Sequence, residues 1–187
     1  MVPIMALWLP MLVSAVIVYI ASSVVHMVLT HHRSDYRKLA NENRVLDALR
    51  GENLTPGNYL FPHAGTPKNM RSPEMVEKYK RGPVGILTML PSGPPAMTKN
   101  LVQWFVFCLA VGVFVAYVTG RTLAPGASYL AVFRIAGTVA FLGYAGSRAS
   151  DAIWFGQPWS STVKHIIDGF VYALLTAGVF AWRWPDM

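Results

Sequence analysis

Five histidines, one cysteine and a few charges set inside apolar runs are the residues of this 187-residue chain whose types could do chemistry. His26 and His165 each stand near one end of a long apolar run. If those ends reach the same depth, two facing imidazoles could hold a haem iron, another metal or a chlorophyll magnesium. His26 and His31 are five apart and do not share a helix face, and no His-x-x-x-His or Glu-x-x-His spacing occurs. No metal ligand set is therefore assigned, and His26 and His165 stand as cofactor-binding candidates only. His31-His32-Arg33 reads as a basic cluster at an interface.

Asp168 follows Lys164 by four residues and His165 by three, so all three share one helix face. One reading is a proton-relay carboxylate beside a histidine. The simpler one is a helix-start acid favoured by the dipole and neutralised by Lys164. Arg134 lies about seven residues into another apolar run, roughly 10 Å deep at about 1.5 Å per residue. It reads either as a contact to an anion, a quinone headgroup or a partner helix, or as a side chain that snorkels to the interface. Counted from opposite ends, Arg134 and Asp168 lie about 12 Å apart along the membrane normal and do not pair. Cys108 sits mid-run as a small buried hydrophobe. Gly-x-Ser-x-Gly, P-loop, Gly-x-Gly-x-x-Gly and Cys-x-x-Cys patterns are all missing, and no catalytic residue is assigned.

The elements that must position these residues are apolar. Charged residues make up 13% of the chain, against about 25% in ordinary soluble domains. Spanning a bilayer takes about 20 apolar residues. Four stretches qualify, near 3–29, 101–118, 128–146 and 163–183. The fold class is an all-α integral membrane protein with a long irregular cytoplasmic segment between helices one and two. Residues 1–30 supply the first helix, 31–100 that proline-rich segment, and 101–187 a three-helix bundle. The first run has no basic residue before it and is too long for a signal peptide.

Eleven of the 16 Lys and Arg residues fall between His31 and Asn100. The positive-inside rule then puts that segment in the cytoplasm and both termini outside, in the periplasm of a bacterial inner membrane. The net charge of +7 reads as topology and contact with anionic headgroups, and nucleic acid is not expected as a partner. Gly112, Ala116 and Gly120 line one face of the second helix, Ala136 and Ala140 the third, and Ala173, Ala177 and Ala181 the fourth. Such stripes let helices two, three and four approach closely. The first helix lacks a stripe and leans on the bundle edge or on a partner.

The segment 31–100 holds eight prolines, too many for a compact core. Short helices are expected over Glu42–Arg50 and from Ser72-Pro73 to the residue before Gly82. Tyr59, Phe61, Ile86, Leu87 and Leu90 are apolar anchors for the chain's own bundle or a partner. Trp154 and Trp159 belong to an aromatic interfacial stretch between helices three and four, with a lipid or protein contact role.

The function expected from these features is that of a non-catalytic accessory subunit of a larger membrane complex of respiratory or photosynthetic type. Its partners would be larger membrane subunits and the bilayer, its bound group a lipid or, less simply, a tetrapyrrole. The alternative is a small oligomeric transporter or channel using Arg134 and Asp168. A third class is a membrane redox or lipid-modifying enzyme using His26, His165 and Asp168.

Overall fold

The computed structural model describes residues 1–186. The chain is mostly helical, and four of its helices are long and apolar enough to cross a membrane. Two compact units form: residues 1–36 with 96–186, and residues 37–95.

In the first unit a 3-10 turn (Ile4–Leu7) leads into α1 (Trp8–Ser23). Pro10 falls in the first turn of α1, where its missing N–H has no helical partner to lose. Ser22 and Ser23 bond back to the carbonyl of Tyr19, which lets hydroxyls sit in an apolar helix. The helix closes in one wide π-type turn (Val24–Val28) and a second 3-10 turn (His31–Asp35). After the second unit come α4 (Met97–Thr122), α5 (Tyr129–Ala145), the short α6 (Arg148–Phe155) and α7 (Trp159–Trp182). The fourth long helix thus begins at Trp159, four residues before the start expected at 163.

Small residues set the packing. On α5 and α7 the alanines Ala136, Ala140, Ala173 and Ala177 are buried. A methyl group on Gly169 would stand 2.9 Å from the Ala145 methyl, and one on Gly137 would stand 3.3 Å from that of Ala177. The stripe on α4 has another use than the one expected. A side chain on Gly112 would press on the backbone of Met11, and one on Gly120 would lie 2.7 Å from the carbonyl oxygen of Val2. The Val2 N–H donates to the Gly120 carbonyl at 2.8 Å. The first helix therefore packs into the glycine face of α4 and needs no stripe of its own. Close approach requires small residues on one partner only.

The second unit holds α2 (Glu42–Gly51), β1 (Gly57–Phe61), α3 (Pro73–Arg81) and β2 (Gly85–Met89). The Ser72 hydroxyl accepts from the Met75 N–H and caps α3, with Pro73 as its first residue. The apolar stretches around Tyr59 and Ile86, read from sequence as separate adhesive segments, pair with each other as antiparallel strands. Tyr59 faces Leu87, and Leu60 faces Ile86. Each stretch leaves a row of backbone donors and acceptors, and mutual pairing satisfies one edge of both. No residue from 37 to 95 is buried.

Candidate functional site

The largest gathering of ionisable side chains lies where α1 ends and α7 begins. The wide turn Val24–Val28, closed by the Leu29 N–H on the Val24 carbonyl at 3.1 Å, carries His26. Single π-type turns of this kind recur at functional sites. The 3-10 turn that follows places His31, His32 and Asp35 against the first turns of α7.

Lys164 holds that turn in place. Its ammonium donates to the His31 carbonyl at 2.6 Å, the Ser34 hydroxyl at 2.8 Å and the Asp35 carboxylate at 2.7 Å. An ammonium has three donors, and all are taken. Lys164 therefore neutralises Asp35 and not Asp168, contrary to the expectation from their shared helix face.

Asp168 turns instead to the histidines. Its Oδ2 lies 2.7 Å from His32 Nε2, and its Oδ1 lies 3.4 Å from His31 Nε2. The other His32 nitrogen, Nδ1, lies 2.6 Å from Asp35 Oδ2. His26, His32 and His165 form a triangle of rings, with centroids 4.6 Å apart for His26 and His32, 4.7 Å for His32 and His165, and 6.1 Å for His26 and His165. One ligand-capable atom from each of these histidines and from Asp168 all lie within 4.8 Å of one another. Asp168 is 7% exposed, and the Asp35 and His32 side chains are 7% and 12% exposed. His26 is exposed, so one side of the cluster is open.

One turn deeper, an aromatic layer underlies the cluster. Ser22 precedes His26 by four residues and accepts from the Trp104 indole N–H at 2.7 Å. Tyr172 follows Asp168 by four residues and meets Trp104 and Tyr144 at centroid distances of 6.3 and 5.8 Å.

The electrostatics follow from these partners. Burial disfavours a charged His32, but the hydrogen bonds to Asp35 and Asp168 outweigh it and raise the imidazole above its ordinary pKa. Hydrogen bonds from Lys164 and His32 hold the Asp35 carboxyl well below the usual carboxylate range. Asp35 is thus an ionised acceptor, and His32 Nδ1 carries a proton toward it.

The residues singled out from sequence divide. His26, His165 and Asp168 come together. Arg134 is exposed on α5, and among the described residues it makes no ion pair. Cys108 is buried. Trp154 and Trp159 are exposed, on α6 and at the start of α7. Tyr59, Phe61, Ile86 and Leu87 fall in the strand pair, and Leu90 lies just past its end. His31 and His32, read as an interfacial basic cluster, both reach Asp168 because the 3-10 turn folds over α7, with His31 exposed and His32 largely covered.

Sequence reasoning passed over His32 and Asp35. The signal was a repeated spacing: His32-x-x-Asp35 and His165-x-x-Asp168 occur in the two segments that meet. No protein-family model, curated protein or solved structure matches the chain.

Proposed function

We propose that this chain is an integral membrane protein that takes up a cation at the centre formed by His32 and Asp168. One observation carries this reading. His32 has a carboxylate at hydrogen-bonding distance from each ring nitrogen, 2.6 and 2.7 Å away. Ionised carboxylates only accept. Asp35 takes the Nδ1 proton, so a bare Nε2 would face Asp168 lone pair to lone pair. A proton or a metal ion between them removes that repulsion. The charge count agrees, since the one ammonium beside these two carboxylates pairs with Asp35 and leaves Asp168 to the histidines.

The concentration of Lys and Arg between residues 31 and 100 supports a cytoplasmic position for that segment. The centre then opens to the cytoplasm, and both termini lie on the far side.

Nitrogen NMR of protein labelled at histidine tests the reading. The expected spectrum shows His32 with Nδ1 protonated and Nε2 either protonated or metal-bound. A neutral His32 with a bare Nε2, in protein free of metal, overturns it.

A second reading concerns partners. Residues 37–95 bury no side chain, yet Leu60 and Leu90 are 52% and 74% exposed. Ordered elements with uncovered apolar residues support an accessory role beside larger membrane subunits. Gentle solubilisation, a native gel and mass spectrometry of the band test this. Companion chains at fixed stoichiometry are expected, and a lone monomer overturns it.

A further inference from the structure

The geometry points to a divalent transition-metal site of the zinc class, with His26, His32, His165 and Asp168 as ligands and with Asp35 and Lys164 positioning His32. This inference rests on the cation-binding reading and names its ion.

The argument turns on the two histidines that a proton leaves without work. A proton between His32 and Asp168 engages those two residues alone. Yet His26 and His165 bring their rings to within stacking distance of His32, and their donor atoms lie within 4.8 Å of the same carboxylate. Neither ring makes a hydrogen bond to another of the described residues. Three imidazole nitrogens and one carboxylate oxygen make a donor set that suits zinc and its first-row neighbours. Magnesium and calcium select oxygen ligands alone.

The spacing is close to what such an ion needs. Metal–nitrogen bonds of about 2.0–2.1 Å put tetrahedral ligand atoms about 3.3 Å apart. The widest pair must close by about 1.5 Å, and the shortest, His32 to Asp168, must open slightly. Exposed His26, in the middle of the wide turn, has room to move.

The support behind the ligands is already built. Metal-bound histidines donate their other ring nitrogen to a carboxylate or carbonyl, which fixes the tautomer. His32 does this to Asp35 at 2.6 Å, and Lys164 holds Asp35 at 2.7 Å. The chain Lys164–Asp35–His32 therefore presents Nε2 to the centre with its lone pair free. Charge favours the ion too. With Lys164 taken by Asp35, Asp168 is the one carboxylate among the four proposed ligands and has no Lys or Arg partner among the described residues.

The test uses the full chain in nanodiscs, stripped with a chelator and titrated with Zn2+ and Co2+. Metal analysis is expected to give one ion per chain, and Co2+ is expected to give visible bands of a low-coordinate nitrogen-rich site. His26→Gln and His165→Gln should each weaken binding at least about 10-fold and shift the Co2+ bands. Asp35→Asn should weaken it about 10–100-fold with the bands retained, and Asp35→Glu should recover part of the loss. Melting of the stripped His26→Gln protein should match wild type, which separates loss of a ligand from loss of fold.

Binding that ignores both His26→Gln and His165→Gln overturns the ligand assignment. No metal uptake, with His32 protonated on both nitrogens, overturns the metal site and leaves the cation-binding reading standing. A bare, neutral His32 without metal removes both.

Discussion

The two units of this chain solve the problem of holding helices together in opposite ways. Residues 1–36 and 96–186 bring helices into near backbone contact through glycine and alanine, and bury charge at one end. Residues 37–95 have helices and a strand pair but bury nothing. On the proposed placement of the four long helices in lipid, apolar surface gains nothing from leaving the solvent, so close fit and internal hydrogen bonds must hold that bundle. Folding in water is driven by burial of apolar area, and residues 37–95 assemble little of it. The first unit is thus specified by shape and charge. The second is held by hydrogen bonds such as the Ser72 cap and the β1–β2 ladder.

Substitutions can break this contrast, beginning with the close contact between α5 and α7. Gly169→Val forces a branched side chain against Ala145 and the Tyr144 backbone. A loss of about 3 kcal/mol is expected from overpacking, read as a lower melting temperature of the purified bundle. A wild-type melt would mean that shape does not specify it.

Lys164→Met leaves three acceptors, Asp35 among them, without their ammonium. About 2 kcal/mol is expected, less than for breaking a fully buried pair because Lys164 keeps some solvent contact. Hydrogen exchange should show residues 31–36 released while α5 and α7 stay protected. Protection throughout would deny Lys164 its clamping role.

In the second unit, Ser72→Ala removes a helix cap worth about 1 kcal/mol. Faster exchange should stay within α3, since no core transmits the loss. Spread into the bundle would join the two units energetically and sharpen the contrast into something else. The smallest effect is expected from Ile86→Ser on the exposed strand surface, within about 0.5 kcal/mol for the isolated chain. If larger membrane subunits cover that surface, the same change should reduce recovery of companion chains without altering the melt.

Much of the helical layout was legible because 20-residue apolar runs leave few alternatives. Short helices with strong end signals, such as Ser72-Pro73, were legible for a similar reason. The strand pair was not, since nothing local in Tyr59-Leu60-Phe61 names a partner some 25 residues away, and α3 lies between them. The site was half legible. His26, His165 and Asp168 stand out as polar residues near the ends of apolar runs. His32 and Asp35 owe their place to a 3-10 turn whose direction depends on Lys164, more than 120 residues later in the chain. Charge alone labelled that turn as surface.

The long chain separation within the cluster has a consequence for how the protein is made. His32 and Asp35 emerge from the ribosome more than 120 residues before Lys164 and Asp168. Until the last long helix is in place, Asp35 has no ammonium and His32 has only one carboxylate. The finished cluster is therefore a record of complete assembly. A nascent or truncated chain lacking α7 would leave His31–Asp35 without the contacts that close the turn.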